Sequence, residues 1–485
     1  MSHGAEPRLL APLLFEVRAS TLLWQLQAET LSAVPLAWLA DLRRQGFDML
    51  YLLGVWCTGA AGLAHSQAQL GADAPAAVSS PFAISAYHVS PSLGGDASLM
   101  LLRAAANSVG LRVLVDFVPN HLARDHAWTL SKPWLFQQGS EAEAARHPER
   151  YYQPLAGGPW LAHGRDMHSA GGWRDTAQLN LRHPHTRGLM RGLLVWLASS
   201  GLADGVRCDM AMLALTGVQQ RTWGDAPLGL PGPFPIPPLA QDLAEVGCLP
   251  PLEGGGAARA RQELGAAQAR QALSAAHPEP SAAHAARESA LQRSESASSA
   301  TTASSTGSLA ACGGGGVGGG GGIGNAAAVV GTSAGVGAPP VLPAPLSLAG
   351  ITLATATPTP GVAGAAIPLD SDRMLRPVEA EWWPDAIACA RAAAPGFLLI
   401  AEVYWDLEAM LLDAGFDFCY DKTLYDRLFL GSAESLLSHL RAPVAWQQRL
   451  VRFTENHDEQ RAAAVHRGGA RGAAAAAVVA YTSPG

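Results

Sequence analysis

Leu111-Arg112-Val113-Leu114-Val115-Asp116-Phe117-Val118-Pro119-Asn120-His121 is an apolar run that turns polar at its carboxyl end. Val113, Leu114 and Val115 are almost continuously hydrophobic and Pro119 bounds them, the pattern of a parallel strand covered by helices. Side chains alternate along a strand, so Asp116, Val118 and Asn120 share one side and His121 lies just past the end.

Three later stretches repeat this pattern. Gly205-Val206-Arg207-Cys208-Asp209 ends in a charged pair, Phe397-Leu398-Leu399-Ile400-Ala401-Glu402 ends in a carboxylate, and Leu450–Asp458 ends in Asn456-His457-Asp458. One aspartate at a strand end usually caps a turn. Four such ends, bringing carboxylates, histidines and an arginine, point to one shared site. Further strands are expected at Leu13–Val17, Phe47–Trp56 and Phe416–Lys422, and an eighth at Ala474–Tyr481. Helical spacing separates several of them: Leu36, Leu39 and Leu42 behind Pro35, Leu189, Leu193, Trp196 and Leu197 before Gly205, and residues 405–415 and 423–441. Alternating strands and helices predict an α/β fold, a (β/α)8 TIM barrel, whose chemistry sits at the carboxyl ends of its strands.

Asp116-Phe-Val-Pro-Asn-His121, Gly205-Val-Arg-Cys-Asp209, Ala401-Glu-Val-Tyr404 and Phe453-Thr-Glu-Asn-His-Asp458, in this order, resemble the motifs of the alpha-amylase family, glycoside hydrolase family 13. Ala177-Gln-Leu-Asn180 is similar to a fifth, shorter motif of the family. The resemblance covers residues 12–224 and 373–485. It implies retaining hydrolysis of α-glucosidic bonds in starch-like or maltodextrin-like glucans, with Asp209 as nucleophile, Glu402 as general acid and base, and Asp458 as the third carboxylate. It also implies that His121, Arg207 and His457 bind substrate, and that Phe82 stands where relatives carry a sugar-stacking tyrosine. Asp116 is expected to orient Arg207. Asn120 occupies a position that binds calcium in some relatives, but with no matching ligand set in the sequence it is assigned structural support; no metal or other cofactor is expected.

Elementary chemistry supports the pairing. Retaining hydrolysis needs two carboxyl groups about 5 Å apart, and neighbouring strands lie about 4.8 Å apart. Arg207 precedes Asp209 by two residues and so points the same way, which is expected to keep Asp209 ionised. Glu402 follows four apolar residues, and its desolvation is expected to keep it protonated. After Asp209, many amylases carry a Lys-His pair, whereas this chain reads Met210-Ala-Met-Leu-Ala-Leu215, leaving hydrolysis against transfer open. The alternatives are a transglycosylase of the same family and a catalytically inactive glucan-binding protein.

The domain plan follows from composition. Residues 12–121 carry strands one to three, 122–180 form an inserted cleft-wall subdomain rich in Trp, His, Gly and Pro, 181–224 carry strand four, and 373–485 carry the rest of the barrel. Trp128, Trp134, Trp160 and Trp173 lie in that subdomain and are more often packing residues than sugar platforms. Residues 225–372 are Ser-, Ala- and Gly-rich and are expected to be a low-complexity, disordered insert. The last barrel helix and the β-sandwich domain usual in the family have no counterpart before Gly485.

The chain has 485 residues, a net charge of −7 and no basic cluster, which gives no electrostatic reason to expect nucleic acid. Its six cysteines show no C-x-x-C pair, and Cys57, Cys208 and Cys419 sit in apolar runs as expected buried thiols. Neither a leader peptide nor a membrane span is legible, so a cytoplasmic enzyme with a glucan or oligosaccharide as its partner is the expectation.

Overall fold

Seven of the apolar runs pair in chain order as one parallel sheet in the computed structural model, which describes residues 12–70, 78–224 and 380–485. They are β1 (Leu13–Arg18), β2 (Phe47–Leu53), β3 (Arg112–Phe117), β4 (Gly205–Cys208), β5 (Leu398–Ala401), β6 (Phe418–Tyr420) and β7 (Leu450–Val451). Alternation divides each strand between two cores. Inward, Met49, Tyr51, Leu53, Leu114, Ile400 and Tyr420 form one cluster, with Leu14 of β1 and Val451 of β7 packed against it. Both edge strands therefore feed the same interior, so the sheet is curled. Outward, Leu50, Leu52, Val113, Val115, Phe117, Val206, Cys208, Leu399 and Ala401 pack beneath helices.

The helix Pro184–Ser199 shows how that outer layer is built. His183 caps its start by accepting the His185 N–H, Pro184 takes a first-turn position where its missing N–H costs nothing, and Leu189, Met190, Leu193, Leu194 and Leu197 are buried along one stripe. Asp204, just ahead of β4, accepts the Val113 N–H at 2.8 Å and the Arg103 Nε–H at 2.9 Å, tying β3 and its preceding helix to the next strand. This is the architecture of a (β/α)8 barrel, with seven of its strands among the described residues.

Several expectations are corrected. Residues 474–481 are not a strand but lie within a helix, Ala470–Thr482, because its run of alanines, the strongest helix formers, outweighs the two valines. β2 ends at Leu53 instead of Trp56: Gly54 turns the chain at φ +73°, where a Cβ would come within 2.9 Å of Pro81, and Trp56–Thr58 pairs antiparallel with Ile84–Val89. β7 stops at Val451, and Asn456 makes the following loop turn by accepting the N–H groups of Asp458 and Glu459. The 423–441 helix is two, Lys422–Leu430 and Ala433–Leu440, the second capped by Ser432. Residues 405–415 contain only the short helix Glu408–Ala414. Cys208 and Cys419 are buried free thiols, whereas Cys57 is only half-buried.

Between β3 and the helix before β4, residues 122–180 build two small antiparallel sheets, His121–Ala123 with Thr176–Gln178, and Trp160–Ala162 between Gln138–Gly139 and Tyr151–Tyr152. Trp128 is buried there, and Trp134, Trp160 and Trp173 are half-buried. The expectation of disorder over 225–372 lies outside the described residues. Among those described, no helix is long and apolar enough to cross a membrane.

Val478 is 62% exposed within Ala470–Thr482, so Val478→Ala is expected to leave stability unchanged or raise it by about 0.5 kcal/mol, as helix propensity dictates. Urea unfolding measures this; a loss above about 1 kcal/mol would favour the strand instead.

Candidate active site

Register brings the polar strand ends together. Arg207 of β4 stands opposite Asp116 of β3 on one side and Ile400 of β5 on the other, and Cys208 stands opposite Ala401, so Asp209 and Glu402 leave adjacent strands at the same level. Their backbones stay joined there, with the Glu402 N–H donating to the Cys208 carbonyl at 3.1 Å and the Asp209 N–H to the Phe117 carbonyl at 2.8 Å.

Arg207 lies at the centre, 1% exposed. Its Nη1 donates to Asp209 Oδ1 at 2.6 Å, its Nη2 lies 2.7 Å from Glu402 Oε2, and its Nη1 is 3.8 Å from Asp116 Oδ1. The Glu402 contact is close in distance but off the line of a hydrogen bond. Asp209 and Glu402 thus flank one guanidinium, separated by no more than that group can bridge. The Phe82 and Tyr420 rings cover it, with centroids 5.0 and 5.7 Å from Cζ, within cation–π range.

Each carboxylate has further partners. Tyr404 donates its hydroxyl to Glu402 Oε1 at 2.6 Å, and the Met210 N–H donates to Glu402 Oε2 at 2.5 Å. Asp116 accepts from the Tyr51 hydroxyl and, at 2.9 Å, from the Gly54 N–H; its own carbonyl accepts the Trp56 indole N–H at 2.7 Å. Asp116 therefore faces Arg207 through the field between them and is held by β2, a more indirect orientation than expected.

Burial dominates the proton equilibria. It pushes Asp116, Asp209 and Glu402 above their ordinary carboxyl values, while Arg207 pulls each back down. For Glu402 this is the expected direction. For Asp209 it runs against the expectation that Arg207 keeps it ionised, because desolvation of a side chain in a residue only 4% exposed outweighs the guanidinium. Arg207 is also shared with Glu402, so it does not distinguish the two acids by itself.

The chain is strained where it leaves these strands. Met210 (φ 42°), Trp405 (φ 64°) and Asp406 (φ 56°) adopt the left-handed conformation, at roughly 1–2 kcal/mol per residue, one beside Asp209 and two shortly beyond Glu402.

The other expected residues divide into two groups. His457 and Asp458 reach the cluster: the His457 ring lies 5.4 Å from Phe82, and its Nε2 is 3.2 Å from Asp458 Oδ2. Partial burial raises Asp458, with His457 opposing. His121 and Asn120 pack against the flanking sheet. His121 is 4% exposed beside the Trp173 ring, and burial lowers its pKa to about 4, leaving it neutral. Asn120 exchanges amide hydrogen bonds with Gln178, at 3.2 Å to Oε1 and 2.9 Å from Nε2. That amide links His121–Ala123 with Thr176–Gln178. Among the described residues no three His, Cys, Asp or Glu side chains gather as metal ligands. Tyr51, Tyr404, Tyr420 and Glu16 join the cluster without having been singled out from the sequence; their inward parity on β1, β2 and β6, and for Tyr404 its position two residues past Glu402, was the available signal.

No family model matches the sequence, and no curated protein does. Solved structures with a similar arrangement include an alpha-amylase from Lactobacillus plantarum (16% identity, 94% of this chain and 65% of that one, TM-score 0.41), a cyclomaltodextrinase (12%, 93% and 47%, 0.44) and an acarbose-soaked Nostoc punctiforme debranching enzyme (11%, 98% and 72%, 0.46). The chain spans about half to two-thirds of the length of most of the structures it resembles. Likeness this faint carries nothing about activity.

Arg207→Met is expected to cost about 3–5 kcal/mol at neutral pH, because it strands buried acids without their arginine. A carboxyl whose folded pKa is raised contributes its stability fully below the unfolded value and loses it as pH rises through the folded one. Without Arg207 the folded values rise further, so the deficit is expected to shrink between about pH 7.5 and 5. Urea unfolding at both pH values checks this; a pH-independent deficit would contradict it.

Proposed function

We propose that the chain is a retaining glycoside hydrolase of the alpha-amylase family, acting on α-glucosidic bonds of starch-like or maltodextrin-like glucans or oligosaccharides. The observation that carries this reading is the placement of Asp209 and Glu402 on adjacent strands, level with each other and flanking Arg207.

In this reading an Asp209 oxygen attacks the anomeric carbon while the bond to the leaving oxygen breaks and Glu402 delivers its proton to that oxygen. Water then attacks the glucosyl–Asp209 ester, Glu402 takes the water's proton, and Asp209 leaves as a carboxylate. Burial favours the protonated Glu402 needed for the first step. At Asp209 burial works against the ionised form needed for attack, and the hydrogen bond from Arg207 opposes that effect. Asp458, partly exposed beside His457, is placed to hold sugar hydroxyls, and a bond that tightens as the ring flattens lowers the barrier itself. Phe82 offers an apolar face next to Arg207. Transfer to a second sugar in place of water uses the same two steps.

A second reading, a glucan-binding protein without turnover, is favoured by one observation: Asp209 and Glu402 are 4% and 2% exposed, and both are already paired with Arg207. A buried ion cluster of this kind also serves structure alone.

Glu402→Gln separates the two. The glycosidase reading expects release of reducing sugar from starch, maltodextrins, isomaltose, sucrose or trehalose, cut by about 10²–10⁴-fold in the variant. Glucan binding without turnover in the wild type, unchanged by the substitution, would support the second reading.

A further inference from the structure

Glu16 lies on β1, inward by parity with Leu14, and its partner is on the other side of the barrel seam. Among the described residues β1 and β7 are the two edges of the sheet and do not pair with each other. Across that gap Glu16 Oε1 accepts the His457 ring Nδ1–H at 2.7 Å and the His457 backbone N–H at 3.2 Å. Two donors from one residue, one rigid and one on the ring, fix both the loop after β7 and the rotation of the imidazole.

We propose that Glu16 is a positioning residue of the site, which acts through His457 to hold the imidazole charged and turned so that its Nε2–H faces the space beside Asp458. A ring bonded through Nδ1 presents Nε2 in one direction only. Nε2 is 3.2 Å from Asp458 Oδ2 but off the line of a hydrogen bond, and it is buried without any other partner among the described residues. An N–H in that state is costly unless a further acceptor arrives, so the arrangement fits a ligand that brings an acceptor oxygen there.

The charges facing His457 come from three directions. Glu16 on β1 and Asp458 on its own loop favour the imidazolium; Arg207 on β4 and burial oppose it; the Phe82 ring covers one side. The carboxylates prevail and His457 titrates above the ordinary histidine value. A histidine raised in this way contributes stability that is complete below about pH 6.5 and is lost as pH rises through its folded value. The seam is therefore tighter in mild acid.

The kinetic half of this proposal rests on the glycosidase reading; the titration half does not. In the full-length chain with ¹⁵N-labelled histidine, the His457 resonance is identified by its loss in His457→Asn and followed against pH. The wild type is expected to titrate above about pH 6.5, and Glu16→Gln to move the midpoint down by about 1 unit or more. If the protein turns over a glucan, the alkaline limb of kcat/KM moves down with it, a shift that mere loosening of the fold does not produce. A wild-type midpoint at or below the ordinary value, measurable whether or not the variant folds, overturns the proposal. So does an unchanged midpoint in Glu16→Gln. Absence of turnover with a shifted midpoint would remove the glycosidase reading and leave Glu16's role standing.

Discussion

The guanidinium of Arg207 is the one charge on which the interior depends. It is 1% exposed, and around it stand Asp116, Asp209 and Glu402, none more than 4% exposed. Taking such groups from water costs several kcal/mol per ion, and the cost is offset only where geometry is close and the remaining lone pairs find donors. The barrel supplies both. β4 places Arg207 between β3 and β5, and Tyr51, Gly54, Tyr404 and Met210 supply further donors to Asp116 and Glu402. Remove the arginine and the same low dielectric that strengthens the pairs leaves acids that fold only by taking up protons.

That arrangement also explains the contrast between the two halves of each strand. Apolar residues fill the inside as far as Leu114, Ile400 and Tyr420, and the polar ends begin one or two residues later, so the ion cluster rests on a dry floor. Phe82 and His457 form its cover, both half-buried. A dry floor, a cover of loop residues and a charge held between two acids are conditions under which burial shifts the acids' proton equilibria. The strained residues Met210, Trp405 and Asp406 mark where regular pairing is given up to aim the acids.

Among the described residues the two edges of the sheet, β1 and β7, do not pair with each other. Residues 474–481 are helical, and Glu16 of β1 meets His457 of the loop after β7 through a side-chain hydrogen bond. A side-chain contact is local and titratable, whereas a ladder is neither. The seam thus couples the fold to the protonation of a residue beside the acids.

Local order was legible in the sequence wherever short-range rules decide it. Alternation gave the staves, helical spacing of Leu189, Leu193, Trp196 and Leu197 gave the helix before β4, and charged residues at strand ends gave Asp116, Arg207, Asp209, Glu402, His457 and Asp458 as neighbours. Short apolar runs are ambiguous between strand and helix, and Ala474–Tyr481, expected as a strand, is helical because its alanines favour that state. Only the tertiary structure decided that Arg207 is shared between two acids, that burial outweighs it at Asp209, that His121 and Asn120 serve the flanking sheet, and that Glu16 reaches across the seam. Those facts depend on what surrounds a side chain in space, on residues 192 or 441 positions away along the chain, and no local pattern carries that information.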